Sequence, residues 1–215
     1  MKIGILGTGD VGRALGTGFV TLGHDVKLGG REAGNAKAAA WAKSAGTRAS
    51  TGTFADAAAF GELLVLATLG EKNEEAIRAA GVANFKGKIV IDATNPLDHS
   101  QGTPPVLLYG PRDSGGEQVQ RLLPEARVVK AFNTVGNAFM FKPDFPGGPP
   151  DMFIAGNDTD AKRQVTKLLG DFGWNVDDLG GIASSRYLEA MCMAWVMYGA
   201  TNGSWNHAFK LLKKK

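Results

Sequence analysis

The first twelve residues, MKIGILGTGDVG, constrain the fold of this chain more than any other stretch. Lys2 to Leu6 reads as a short apolar strand running straight into Gly7-Thr8-Gly9-Asp10-Val11-Gly12, and an apolar run of helical period, Val11 to Leu22, follows at once. Strand, glycine turn and helix in that order are the context in which G-x-G-x-x-G reads as a dinucleotide-binding turn. Gly7 allows the tight turn, Gly9 lets a pyrophosphate approach the backbone, and Gly12 lets the helix pack down on the strand. The phosphates would rest on unpaired N–H groups at the positive end of the helix. A chain with 30 glycines yields such patterns by chance as plain turns; the placement between these two elements selects the binding reading.

The second informative spot is the end of the next strand, Asp25 to Leu28, where the chain reads Leu28-Gly29-Gly30-Arg31. An NAD-preferring fold of this type carries a carboxylate there for the ribose 2′-hydroxyl. Here the position holds Gly30 and Arg31, and a guanidinium suits a 2′-phosphate, which selects NADP. The competing reading is that Arg31 merely opens a solvated helix, and Glu32 beside it weighs against phosphate.

Further along, Asn35 to Ala45 is helical, Thr47 to Ser50 a short strand, and Thr53-Phe54-Ala55-Asp56 a capping box opening a helix through Phe60. Leu63 to Ala67 is continuously apolar, as expected of a parallel strand buried on both faces. Thr68 and Leu69 leave it at the carboxyl edge, where open α/β sheets bind ligands. A helix over Glu71 to Ala80, a turn at Asn84 to Gly87 and a strand Lys88 to Asp92 follow, with Asn95-Pro96 emerging at the same edge. Residues 97–115 form a long irregular connection. Gly116 to Leu123 is a helix and Arg127 to Phe132 a strand ending in Asn133-Thr134. After a proline-rich loop, Lys142 to Pro150, come a strand from Asp151 to Ala155, a helix capped by Asp158 and running to Phe172, and a strand from Trp174 to Leu179. Ser184 to Leu212 is helical with a break at Gly199 to Gly203. The alternation predicts an α/β, doubly wound, mostly parallel Rossmann-type sheet with the first strand central, extra C-terminal strands and a small helical C-terminal region. Residues 1–180 would be the NADP-binding domain and 181–215 a helical extension of the same compact unit.

Composition narrows the function by exclusion. A net charge of +3, part of it in Lys213-Lys214-Lys215, leaves no nucleic-acid footprint. No apolar run is long enough to span a bilayer, and a first strand beginning at residue 2 or 3 leaves no room for a leader, so the expected location is cytoplasmic. The lone cysteine, Cys192, reads as a buried small hydrophobe. The three histidines have no metal-ligand spacing.

With GILGTGDVGRAL, GHDVKLGGR, VIDATNP, VVKAFNTV, MFIAGNDTDAKRQV and DLGGIASSRYLEAM in place, the chain resembles, nearly end to end, the coenzyme F420-dependent NADP oxidoreductase family. It is also similar to the cytosolic oxidoreductase domain of six-transmembrane metalloreductases, whose membrane part it lacks. The resemblance implies that Thr8, Gly9, Asp10 and Val11 hold the pyrophosphate and Arg31 the ribose phosphate, that Thr68, Leu69, Asn95 and Pro96 border the nicotinamide half, and that an isoalloxazine-like ring stacks near Phe132, Asn133 and Thr134 under the C-terminal helix. It implies NADP as cofactor, coenzyme F420 or FMN/FAD as second substrate, and a homodimer. Gly30 stands where the family commonly has serine. Asn133 stands where archaeal F420 enzymes tend to have histidine, which raises flavin as the acceptor.

Hydride transfer between stacked rings asks little acid–base chemistry of the protein, so no certain catalytic residue is expected. Two acceptor-side candidates remain. Lys130 is either a general acid or a lysine reaching the sheet edge for a carbonyl. Asn133 either hydrogen-bonds the acceptor ring or ends the strand. Trp195, Tyr198 and Trp205 line an acceptor pocket or belong to the core or a dimer face. The rival functions are a non-catalytic NADP(H)-binding redox sensor and a small imine or carbonyl reductase.

Overall fold

Lys2–Leu6 forms β1, which lies inside the sheet because both of its edges are paired in parallel: Ile3 opposite Val26 on one side and opposite Leu63 on the other. The structure, a computed structural model, describes residues 1–100 and 102–214; Gln101, within the long connection, and Lys215, in the terminal lysine run, lie outside the described residues. After β1 come α1 (Asp10–Thr21), β2 (Asp25–Gly30), α2 (Ala36–Ala45), β3 (Ala49–Thr53), α3 (Phe54–Phe60), β4 (Leu63–Leu66), α4 (Asn73–Ala80) and β5 (Ile89–Asp92). Then follow β6 (Leu97–Asp98), β7 (Val106–Leu107), α5 (Gly115–Leu122), β8 (Arg127–Lys130), β9 (Asp151–Gly156), α6 (Thr159–Asp171), β10 (Asn175–Asp178) and α7 (Ser185–Asn202).

Among the described residues the main sheet has eight strands in the order β10-β9-β8-β5-β4-β1-β2-β3. Strands β8, β5, β4, β1, β2 and β3 run parallel; β9 is antiparallel to β8, and β10 parallel to β9. The doubly wound, mostly parallel sheet with extra C-terminal strands expected from the β–α alternation is thus the observed one. Its buried strands alternate between two cores, as the two-residue period dictates. Ile3, Ile5, Leu63, Val65, Ile89 and Ile91 meet Phe19, Trp41 and Phe172 on one face. Leu6, Leu64, Leu66 and Val90 meet Phe54, Ile77, Phe85 and Val119 on the other.

Local signals were accurate where they were self-contained. The capping box is present: Thr53 Oγ1 accepts from Asp56 N–H at 3.1 Å, and Asp56 Oδ2 accepts from Thr53 N–H at 2.8 Å. Several boundaries differ. β2 runs on to Gly30 because Gly29 and Gly30 pair with Gly52 and Thr53, and β3 shifts to Ala49–Thr53 with it. A 3-10 turn, Gly70–Lys72, precedes α4, and another, Val82–Phe85, replaces the expected simple turn. The 97–115 connection carries the small antiparallel pair β6–β7. β8 stops at Lys130, since Phe132 has a left-handed backbone (φ 62°). Gly199 does not break α7. It lies within the helix, and its missing side chain makes room for the Trp205 ring. The helix ends at Gly203, the far end of the expected break and left-handed with φ 62°, and the helix expected beyond it is absent: residues 204–214 are not helical.

Candidate dinucleotide site

The glycine turn sits at the carboxyl end of β1, between β2 and β4, where the strand order of the parallel sheet reverses and ligand crevices form. Gly7 has φ 132°, and a Cβ there would run into the carbonyl group of Ala67, so only glycine fits. A Cβ on Gly12 would collide with the Gly7 carbonyl oxygen, so the third glycine lets α1 lie on the turn. Gly9 differs: its backbone is extended (φ −73°, ψ −173°), and a Cβ would meet nothing within 4 Å. As the N-cap of α1, Gly9 supplies no side-chain hydrogen bond, unlike Asn35, Thr53, Ser114 and Asp158 at the starts of α2, α3, α5 and α6. The first N–H groups of α1 therefore have no side-chain cap beneath open space, an arrangement suited to an anion.

That space is a cavity of about 650 Å³. Of the residues singled out in the sequence, Gly7 to Val11, Gly30, Arg31, Thr68 and Leu69 line it. Sequence reasoning missed Lys72 and Glu75, which reach the same cavity from the 3-10 turn and from α4. Arg31 Nε stands 3.4 Å from Glu75 Oε1, with both side chains largely exposed. The charges along Glu71–Glu75 read as an ordinary solvated helix start, and nothing local marked one of them as a partner for Arg31.

Asn95, Pro96, Phe132 and Asn133 do not line this cavity; Gly12 lies beneath the turn. Asn95 and Asn133 instead clasp each other across the sheet edge. Asn95 Nδ2 donates to the Asn133 carbonyl at 2.8 Å, and Asn133 Nδ2 donates to Asn95 Oδ1 at 3.0 Å and to the Leu188 carbonyl of α7 at 2.8 Å. Asn133 Oδ1 is buried without a hydrogen-bond partner. Phe132 is 2% exposed and packs edge-on against Phe172, so it belongs to the core rather than to an open ring-stacking face.

The general-acid reading of Lys130 is corrected here. Its Nζ is fully buried and gives its three N–H groups to Asp92 Oδ2 (2.9 Å), Glu189 Oε1 (2.9 Å) and the Thr94 carbonyl (2.6 Å). It is the carbonyl-seeking lysine, with two carboxylates added. Burial alone would lower its pKa, but Asp92 and Glu189 outweigh that and hold it above the usual lysine value. Glu189 also accepts from Gly115 N–H and Gly116 N–H at 3.0 Å each, so its carboxylate closes the start of α5. From Asp92 the network continues through Thr94 Oγ1 (2.6 Å) and Asn73 (2.7 Å) to Thr68 Oγ1 (2.6 Å) at the cavity wall. Of the aromatic trio, Trp195 packs on Trp205 and His207 and Tyr198 on His207, and none of the three lines the cavity.

A doubly wound sheet with an open glycine turn at its switch point defines a Rossmann-type dinucleotide-binding protein. The chain belongs to the coenzyme F420-dependent NADP oxidoreductases. The family model described as NADP oxidoreductase coenzyme F420-dependent matches residues 2–96. The chain is 33% identical over 201 residues to the F420-dependent NADP reductase of Methanocaldococcus jannaschii, covering 89% of each. It is 31% identical over 190 residues to the rat metalloreductase STEAP3, of which it spans only 36%. A crystal structure from Arthrobacter sp. FB24, provisionally named an F420-dependent NADP-reductase, superposes with a TM-score of 0.94 at 40% identity, over 99% of this chain and 100% of that one. The protein is accordingly an NADP-dependent oxidoreductase of the F420 reductase family. Among the described residues no helix is long and apolar enough to cross a membrane.

Proposed function

We propose that this chain transfers hydride between NADPH and a deazaflavin of the F420 type, with FMN or FAD as the alternative acceptor. The observation that carries the reading is the uncapped first turn of α1 beneath open space at Gly9, with Arg31 on the wall of the same cavity. The M. jannaschii relative, whose name gives both cosubstrates, supports it.

In this reading the N–H groups from Thr8 to Val11 bind the pyrophosphate, assisted by the positive end of α1. Arg31 exchanges Glu75 for the ribose 2′-phosphate, and Gly30 leaves that phosphate without a serine hydroxyl. Thr68 and Leu69 border the nicotinamide half, with Asn95 and Pro96 beyond them. Asn133 stands on the acceptor side, held in its clasp with Asn95 and with its Oδ1 buried, while Phe132 stays in the core behind it. When bound, nicotinamide and acceptor ring supply the redox chemistry between them, and the protein supplies position and electrostatics. Lys130 keeps its proton and holds the floor of the site. Residues 1–180 and 181–215 act as one unit, a reading supported by the fastening of α7 through Glu189 and Leu188. Exposed Tyr187, Met197, Tyr198 and Trp205 support a homodimer.

The test is stopped-flow oxidation of NADPH with F420, FMN and FAD offered separately. Fast oxidation by F420 alone establishes the deazaflavin reading, and fast oxidation by a flavin moves the acceptor to flavin. Tight NADPH binding with no oxidation by any of them overturns both acceptors in favour of a redox sensor.

A further inference from the structure

The glycine turn contains two groups of the wrong sign for a pyrophosphate: the main-chain carbonyl of Thr8 and the carboxylate of Asp10, both from residues that line the cavity. Arg13, one turn into α1, engages the two together. Its Nη1 donates to the Thr8 carbonyl at 2.8 Å, and its Nη2 pairs with Asp10 Oδ1. Arg13 does not line the dinucleotide cavity. It stands in an adjoining hollow of about 390 Å³ that shares Asp10 and Asn137 with that cavity.

We propose that Arg13 is the positioning residue of the dinucleotide turn. It draws the Thr8 carbonyl and the Asp10 carboxylate toward the adjoining hollow and cancels the Asp10 charge. The N–H groups at the start of α1 then face the pyrophosphate unopposed. This rests on the dinucleotide-binding reading given above. An acidic residue in the first turn favours the helix through its dipole, but the same dipole attracts the phosphate. Without Arg13 the Asp10 carboxylate and the ligand would compete for the same donors. The guanidinium suits this task because its donors lie in a fixed fork that serves a carbonyl and a carboxylate together, which a lysine ammonium cannot reproduce in the same geometry.

A purely structural role predicts something different. An (i, i+3) ion pair whose carboxylate is mostly exposed contributes little to stability, and the part-buried bond to the Thr8 carbonyl adds the modest net contribution of one hydrogen bond, so Arg13→Ala should lower the thermal midpoint only slightly and change affinity instead. The experiment is calorimetric titration of NADPH and of NADH into wild type, Arg13→Ala, Arg13→Lys, Asp10→Asn and the double variant Asp10→Asn/Arg13→Ala, at low and high salt. Arg13→Ala should weaken both nucleotides equally, by about ten-fold at low salt, with less loss at high salt as the exposed charges are screened. The double variant should recover most of that affinity, and Arg13→Lys should fall between. A loss confined to NADPH, an unchanged Arg13→Ala, or a double variant as weak as Arg13→Ala overturns the proposal. Wild type that binds neither nucleotide removes the dinucleotide reading and this proposal with it. Wild type that binds both, beside an Arg13→Ala that binds as well, removes the proposal alone.

Discussion

Lys130 of β8 and Glu189 of α7 form a 2.9 Å ion pair from which solvent is almost entirely excluded. With Asp92 at 2.9 Å on the other side, one cation stands between two carboxylates. The surplus negative charge is met by the start of α5, whose Gly115 and Gly116 N–H groups point at Glu189. The pair joins the C-terminal helix to a strand of the parallel sheet, and the chain Asp92–Thr94–Asn73–Thr68 carries the connection to the cavity wall.

Lys130→Met leaves Asp92 and Glu189 buried without their cation and should destabilise the fold by about 3–5 kcal/mol, as for other broken buried pairs. The pKa of Lys130 is raised in the folded state from a reference of 10.5. Its stabilisation is therefore complete below the unfolded value and is lost as pH rises through the higher folded value. Urea midpoints measured from pH 8 upward should show a decline beginning above the reference value in wild type. Lys130→Met should be weak at neutral pH and lack that component. A variant as stable as wild type at pH 8 would mean the pair contributes no net stability.

Gly9 and Gly12, three residues apart, should fail in opposite ways. Gly9 has an ordinary extended backbone and empty space over its Cβ position, so Gly9→Val should keep the wild-type thermal midpoint and lose NADPH and NADH alike. Gly12→Val drives a side chain into the Gly7 carbonyl and should be recovered destabilised or unfolded. Circular dichroism melts beside nucleotide titrations separate the two. Undiminished binding by a folded Gly9→Val would reduce the motif to a turn.

The sequence revealed what depends on near neighbours. Thr53 and Asp56 form their box within four residues, and the glycine turn is complete in six. Gly29-Gly30 looked like the end of a strand because glycine is a poor strand former. Parallel pairing with β3, a partner more than twenty residues away, carries the strand through. Gly199 looked like a helix break, yet it is a notch filled by Trp205. Lys130 could be read as a lysine reaching the sheet edge for a carbonyl, but its burial between Asp92 and Glu189, from a strand and a helix far from it in the chain, comes only with tertiary packing. The lip pair Arg31–Glu75 was hidden for the same reason.

Arg31→Ala should weaken NADPH by roughly ten-fold or more and NADH far less, since only the former carries the phosphate that a guanidinium binds with charge-assisted bonds. Glu75→Gln should act in the opposite sense, tightening NADPH by roughly two- to three-fold, because the exposed pair it breaks is weak and its loss frees Arg31. Parallel titrations of both nucleotides decide the matter. Equal losses for the two in Arg31→Ala would remove Arg31 from the phosphate.

Cys192 should be inert in the native protein. It is 5% exposed on α7, and burial pushes its thiol up to about 12, with Lys130 acting weakly the other way. The thiolate is the reactive form, so at pH 8 the native thiol is disfavoured twice, by protonation and by access. Ellman's reagent at pH 8 should label the native protein slowly, at a rate that tracks local opening, and label it at once in denaturant. Because α7 is fastened through Glu189, Lys130→Met should speed native labelling even where the bulk of the fold survives. Rapid labelling of the wild type would mean that α7 detaches readily and that the buried pair does not hold it.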